Sequence, residues 1–343
     1  DLHLCDRRQR QMCIRDSGSA PDTQTDTAAN EENVVSDDTS PDTTDNKDEG
    51  AVLRIGAQPY PLYSSVYVAY ELGYLKEEFD AIGASFEWNE FASGPLVNEA
   101  VAAGEADMGF MADLPAIISR STGQEIEVVS NVAYGEKGLA VLVGTDSDIK
   151  SVADLKDKKV AYATGSYAQH LLALLLDGEG LTLDDVQSIN LAAADQPAAL
   201  ANGEVDAIVI WEQYISMLTS EGTAKVLADG TGVKKGNMIN YFVSDYAEQH
   251  PLVVQAYIKA LNRADELIAS DPETAAEAIA EDFGVDKDLM IQILGNFTYT
   301  TELTDDDIAE IEKVKDFSLE AGIIEQDFDI NDFINTEYLD AIE

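Results

Sequence analysis

The sequence predicts an α/β chain of two similarly built lobes followed by a helical C-terminal part. Three observations carry this. Short apolar runs alternate with amphipathic stretches from Val52 to Ser244, the pattern of sheets with parallel strands covered by helices. The text Gly104-Glu-Ala-Asp-Met-Gly-Phe-Met-Ala-Asp113 returns 99 positions later as Gly203-Glu-Val-Asp-Ala-Ile-Val-Ile-Trp211-Glu212. Each copy follows an Ala-rich helical stretch and ends a buried strand on a carboxylate, which places a candidate site between two half-molecules. After Tyr246 the pattern is helical throughout.

In chain order, Val52–Ala57 reads as a strand and Gln58-Pro-Tyr-Pro-Leu-Tyr63 as its exit loop. Ser64–Leu72 is a helix ending at Gly73, and Ser85–Phe91 a second strand. Ser93 caps the next helix, with Pro95 in its first turn. Asp107–Met111, Glu125–Val132 and Gly138–Val143 are further strands, with a helix over Leu114–Ser121. The pattern then restarts: a capped turn at Ser151–Leu155, a strand at Lys159–Ala163, and an apolar helix over Ser166–Leu176. Val186–Leu191, Ala207–Ile210 and Lys225–Leu227 supply strands, and Asn237–Ser244 carries the chain back to the first lobe. Helices follow at Leu252–Ala269, Pro272–Asp282, Asp286–Leu294 and Asp305–Ala321, the last capped by Thr304 with acids in its first turn. This divides the body into a first lobe, 51–144 with 237–343, and a second lobe, 145–236.

The N-terminal region is of a different kind. Residues 1–17 look like translated sequencing adapter: Arg7-Arg-Gln-Arg-Gln-Met-Cys-Ile-Arg-Asp-Ser17 as transposase-type adapter, Asp1-Leu-His3 as flow-cell primer, and Leu4, Cys5 and Asp6 as the index between them. Both cysteines, Cys5 and Cys13, fall in this piece, so the rest offers no disulfide, thiolate nucleophile or cysteine metal site. The whole chain carries −45; the excluded piece holds four arginines against three aspartates, which leaves −46 for the remainder. Such a surface excludes nucleic acid and anionic membranes as partners. Residues 18–50 are rich in Asp, Glu, Thr, Ser and Asn and read as a disordered acidic linker, a tether or a solvated tail. With adapter abutting the linker, a signal peptide or lipid-bearing Cys upstream is expected to be missing from this sequence. No apolar run in the body approaches the ~20 residues that span a bilayer.

Five segments in register resemble one family. They are Ala92-Ser-Gly-Pro95, Gly109-Phe-Met-Ala-Asp113-Leu-Pro115, Ile149-Lys-Ser-Val-Ala-Asp-Leu-Lys156, Lys159-Val-Ala-Tyr-Ala-Thr-Gly165-Ser166-Tyr-Ala-Gln-His170-Leu-Leu172, and Asp206-Ala-Ile-Val-Ile-Trp211-Glu-Gln-Tyr214. Each is weak alone. Together they resemble the solute-binding proteins of ABC importers for sulfonates, taurine, nitrate and the thiamine pyrimidine. The resemblance implies the two-lobe, type II periplasmic-binding-protein-like fold, with parallel-sheet lobes joined by two crossover strands that close on a small ligand. It also implies a monomer that serves a membrane permease and its ATPase from an extracytoplasmic, lipid-anchored position.

Candidate ligand contacts follow from local chemistry. Gly165 and Ser166 end a strand and begin a helix, where free N–H groups and a hydroxyl can hold an anion; ordinary capping is the alternative. Gly94 marks a second such start, although Pro95 removes a donor. Asp113 and Glu212, at strand ends, repel an anion but suit an ammonium, guanidinium or ring N–H; hinge or capping chemistry is the alternative. Tyr60, Tyr63, Tyr134, Tyr167, Trp211 and Tyr214 lie at strand exits, where rings can stack on a flat ligand or pack the core. Outside residues 1–17 the only arginines are Arg54, Arg120 and Arg263, none at a cleft-facing strand end, which disfavours a bidentate clamp. Lys137 is the nearest candidate cation. His170 reads as structural or hinge-facing, with ligation the alternative, and His250 as structural.

A non-catalytic capture protein fits best. The other readings are a thiamine-pyrimidine synthase on the same fold, a binding protein for a pyrimidine or other planar heterocycle, and a ligand-sensing regulator. The synthase resemblance includes a cysteine-rich iron motif this chain lacks. P-loop, calcium-loop and serine-nucleophile signatures are missing as well, so no cofactor and no metal are expected. Ligand identity stays open among a plain sulfonate, a zwitterion such as taurine, and a heterocycle.

Overall fold

The computed structural model describes residues 48–342. The adapter reading of 1–17 and the linker reading of 18–47 lie outside the described residues. The end of the expected linker is ordered: the Asp48 and Gly50 amides donate to Ile82 and Gly83 carbonyls at 2.9 and 3.0 Å. The Asp48 carboxylate meets His250 Nδ1 at 2.8 Å. Backbone pairing at the end of a helix thus holds residues whose composition alone reads as solvated.

The strands are β1 (Val52–Ala57), β2 (Ser85–Glu90), β3 (Met108–Ala112), β4 (Ile126–Tyr134), β5 (Leu139–Gly144) and β6 (Lys159–Tyr162). They continue with β7 (Gln187–Asn190), β8 (Ala207–Trp211), β9 (Ala224–Asp229), β10 (Asn237–Val243) and β11 (Thr298–Tyr299). The first seven helices are α1 (Ser64–Glu71), α2 (Tyr74–Ile82), α3 (Gly94–Ala102), α4 (Asp113–Ser121), α5 (Tyr167–Gly178), α6 (Gln196–Ala201) and α7 (Tyr214–Ser220). Then come α8 (Ser244–Gln249), α9 (Pro251–Ser270), α10 (Pro272–Ile279), α11 (Lys287–Leu294), α12 (Asp305–Glu320) and α13 (Glu337–Asp340). Helix α2 is absent from the sequence reading: Gly73 and Gly83, both at positive φ, bracket it, and only Leu75 and Phe79 are buried. Two buried residues one turn apart leave little apolar periodicity to read.

Two sheets form, ordered β11-β4-β10-β3-β1-β2 and β7-β6-β8-β5-β9. They are mixed, a correction to the parallel sheets expected. In the first, β1 pairs parallel with β2 and β3, while β10 runs antiparallel to β3 and β4. In the second, β6 pairs parallel with β7 and β8, while β5 runs antiparallel to β8 and β9. The same arrangement, 2-1-3 plus one reversed strand, therefore occurs twice, and the echoed text supplies the equivalent strands β3 and β8. Gly104 and Gly203 take φ of 69° and 70°, a left-handed turn that favours glycine.

The reversed strands have a mechanical cause. Strand β4 ends at the face where the sheets meet. The chain crosses there and enters the second sheet as β5, so it must run away from that face, against β8. β10 does the same on the return from β9. The expected lobe boundary after 144 is corrected accordingly: residues 139–144 pair in the second sheet.

Between the sheets the chain passes as 135–138 and 230–236, side by side. The Gly230 amide donates to Glu136 O at 2.9 Å and the Gly135 amide to Lys235 O at 3.1 Å. A Cβ on Gly230 would lie 2.6 Å from Glu136 O and 2.8 Å from Lys234 O. Helix α12 is tied to the return passage: Thr304 and Asp307 form a capping box, and Asp307 also accepts from Lys235 and, at 3.2 Å, from Asn237 Nδ2. Gly230→Ala should therefore cost about 1–3 kcal/mol through backbone displacement, read as a melting temperature several degrees lower; an unchanged melt would show that the passages are not in close contact.

Candidate functional site

The carboxyl ends of β1 and β3 from one sheet and of β6 and β8 from the other converge on one cavity. Its lining includes Gln58, Tyr60, Leu62 and Tyr63 after β1, and Ser93, Gly94 and Pro95 at the start of α3. Ala112 and Pro115 around the start of α4, Ala163, Thr164, Ser166 and Tyr167 between β6 and α5, and Trp211 ending β8 complete it. The cavity volume is about 50 Å³, room for a few water-sized groups between nearly apposed lobes. No Lys, Arg, Asp or Glu is among the described residues that line it.

Two helix starts face this space from opposite lobes, and neither is capped by its own serine. Ser166 precedes α5 with extended backbone but makes no side-chain cap bond; its hydroxyl donates back to Ala163 O at 2.6 Å. The Tyr167 and Ala168 amides thus begin the helix without an intrahelical acceptor. Ser93 stands before α3 in the same way, with Pro95 in the first turn. Gly94 is needed for contact rather than conformation: a Cβ there would lie 3.0 Å from the Pro115 ring. Gly165, at φ 75°, sits just outside the lining and donates its amide to Gln169 Oε1 at 2.8 Å.

Aromatic rings form the walls. Trp211 meets Tyr60 edge-on at 5.5 Å between centroids and Tyr167 at 5.7 Å. Tyr60 donates its hydroxyl to Ala92 O at 2.8 Å, and burial pushes its phenol up to about 12. Tyr63 packs on Phe110 with centroids 5.0 Å apart, and burial holds its phenol well above the ordinary range. Tyr167 and Trp211 are each 5 % exposed. The Tyr167 hydroxyl and the Trp211 indole N–H are both buried without a hydrogen-bond partner among the described residues, which leaves an unsatisfied neutral donor on each of two cavity-lining residues.

The two acids sit elsewhere. Asp113 Oδ2 accepts from Lys234 Nζ at 2.7 Å and Oδ1 from the Leu114 amide at 2.7 Å. Glu212 accepts from Ser216 Oγ at 2.8 Å, the Ser216 amide at 3.0 Å and Asn296 Nδ2 at 2.9 Å. Burial raises the Glu212 carboxyl, opposed by those bonds to Ser216 and Asn296. Both are corrected from ligand selectors to internal partners: neither lines the cavity and each is bonded within the protein. Tyr134 is corrected too; Lys235 Nζ lies 4.3 Å over its ring. Among the described residues no group of three or more His, Cys, Asp or Glu is placed to hold a metal ion.

The sequence pattern of the NMT1/THI5-like family matches residues 61–275. This chain belongs to the NMT1/THI5-like family. A relative from Escherichia coli (strain K12) carrying the name of an aliphatic sulfonates-binding protein is 31 % identical over 73 % of this chain and 77 % of its own length. One of the same name from Bacillus subtilis (strain 168) is 30 % identical over 84 % of this chain and 86 % of its own. The alkanesulfonate-binding protein SsuA from Xanthomonas axonopodis pv. citri, solved bound to MOPS, superposes with a TM-score of 0.73 at 30 % identity. That match covers 80 % of this chain and 95 % of that one.

Within this NMT1/THI5-like chain the sequence reading missed one cation. Lys137, the candidate named, is exposed; Lys234, unremarked, is buried between Asp113 and His170. Its signal was a lysine pair inside the glycine-bracketed return passage, Gly230 to Gly236. An ammonium can only donate, so His170 Nδ1 accepts at 3.0 Å and the ring is neutral, its proton on Nε2. Burial, then the Lys234 charge, lowers His170 to about 2. Unfolded histidine titrates near 6.5, so the unfolded chain takes up a proton first. The contribution is full above about pH 6.5 and is lost as the pH falls toward 2. Comparing chemical denaturation of the unsubstituted protein and His170→Gln, the stability difference should shrink by on the order of 2 kcal/mol between pH 7 and 5; parallel pH profiles would contradict a buried neutral His170.

Proposed function

We propose that this protein is the extracytoplasmic solute-binding subunit of an ABC importer. In this reading it captures a small sulfonate or taurine-like ligand between its lobes and delivers it to the permease and its ATPase. The observation that carries the reading is the pair of uncapped helix starts, at α3 and α5, lining one cavity that has no charged side chain in its described lining. Free amide N–H groups at the positive end of a helix hold an anion without a counter-cation. The unpartnered Trp211 N–H and Tyr167 O–H add two donors, and the surrounding rings accept an organic tail. The names of the relatives support the same ligand class.

Closure supplies capture. A ligand with contacts on both lobes binds the closed form better and shifts the population toward it. The lobes in this reading are residues 51–134 with 237–342 and residues 139–229, hinged at the two passages. The role in this reading is non-catalytic, in keeping with relatives that carry the names of binding proteins. An anchor at the membrane and a monomeric state accompany the proposal. Aromatic walls favour a planar heterocycle as the second reading, and the same experiment separates the two.

A melting screen against ethanesulfonate, taurine, nitrate and pyrimidines decides the class. A bound ligand at a hundred times its Kd should stabilise by about 2.7 kcal/mol. Shifts with the sulfonates are expected; a shift with pyrimidines alone would replace the reading by the second. Trp211→Phe keeps the wall but removes the N–H, and should weaken sulfonate binding about tenfold or more with little change in the unliganded melt. Unaltered affinity by calorimetry would show that the indole N–H does not touch the ligand.

A further inference from the structure

We propose that Lys234 is a positioning residue for capture: with Asp113 and His170 it forms a buried latch between the lobes that sets how firmly the closed form holds. Lys234 lies in the return passage between β9 and β10. Its ammonium donates to Asp113 Oδ2 at 2.7 Å, on the first lobe, and to His170 Nδ1 at 3.0 Å, on the second. The Lys234 and Asp113 side chains are 3 % and 4 % exposed, and His170 is equally buried, its ring against Phe317 of α12. One cation thus joins three parts of the chain that meet only where the lobes meet.

The geometry makes this more than internal packing. Asp113 opens α4, whose Pro115 lines the cavity and packs on Gly94. His170 lies in the first turn of α5, three residues after Tyr167, which with Ser166 lines the cavity from the other side. Neither Lys234 nor His170 lines the cavity. The latch therefore fixes the separation of the two helix starts without touching what they hold. Buried ion pairs give little net stability when complete, yet losing one partner strands a charge. Parting the lobes would return all three groups to water, so the latch forms and dissolves with closure.

The ligand arm of the test rests on the capture reading; the first arm does not. Spin labels on Leu96→Cys and Asp195→Cys, both exposed positions on opposite lobes, in a background with Cys5 and Cys13 replaced by Ser, report lobe separation in ligand-free protein. Lys234→Met should reduce the short-distance population by about threefold or more. The double variant Asp113→Asn/Lys234→Met, which leaves no unpaired charge, should do the same and serves if the single variant does not fold. A lowered melting temperature with an unchanged distance distribution would overturn the proposal, because a purely structural role predicts that. In the ligand arm, ethanesulfonate should leave Lys234→Met about tenfold faster by stopped-flow tryptophan fluorescence, with the affinity ratio between ethanesulfonate and MOPS unchanged. A changed ratio would mean direct ligand contact and would also overturn it. If ethanesulfonate does not bind the unsubstituted protein, the sulfonate reading fails and the distance distribution still decides the latch.

Discussion

The chain passes twice between its sheets through two touching segments, and most of the architecture follows from that constraint. The passages 135–138 and 230–236 exchange backbone hydrogen bonds and approach so closely that Gly230 has no room for a Cβ. Each passage delivers one strand that must run away from the shared face, which gives both sheets a reversed member. The parallel strands on either side then end at that face. Helix starts, which follow parallel strands, are thereby aimed at each other across a narrow space.

Long-range repulsion from a net charge of −45 opposes an anion, yet the cavity itself has no charged lining among the described residues. In the proposed capture role, anion affinity comes from short-range donors: amides at α3 and α5, the Trp211 N–H and the Tyr167 O–H. The acids near the site are kept behind it, Glu212 hydrogen-bonded to Ser216 and Asn296 and the others ion-paired. Asp113 is neutralised by Lys234, and Asp307 by Lys235. A side-chain cation in the cavity would bind any anion strongly; neutral donors leave shape and tail chemistry to decide.

Much of this was legible in the sequence because it rests on local pattern. The echo of Gly104–Asp113 in Gly203–Glu212 identified β3 and β8, since a left-handed glycine turn followed by a short apolar run is a local requirement. Ser166, Tyr167, Gly94, Tyr60, Tyr63 and Trp211 could be named because strand ends and helix starts are written in neighbouring residues, and all six line the cavity. What escaped is non-local. Nothing near Asp113 tells that a lysine 121 positions on will neutralise it. Nothing near Glu212 announces Asn296. The lobe boundary failed for the same reason, because Leu139–Gly144 reads as one more strand whichever sheet receives it. Helix α2 was lost to its own polarity.

A crystal structure of the ethanesulfonate complex tests the central claim most directly. The account predicts sulfonate oxygens within about 3.2 Å of the Tyr167 or Ala168 amides, with the ethyl group against Trp211 and the Lys234–Asp113 pair intact. A sulfonate seated on Lys234, or bound outside the cleft, would contradict it.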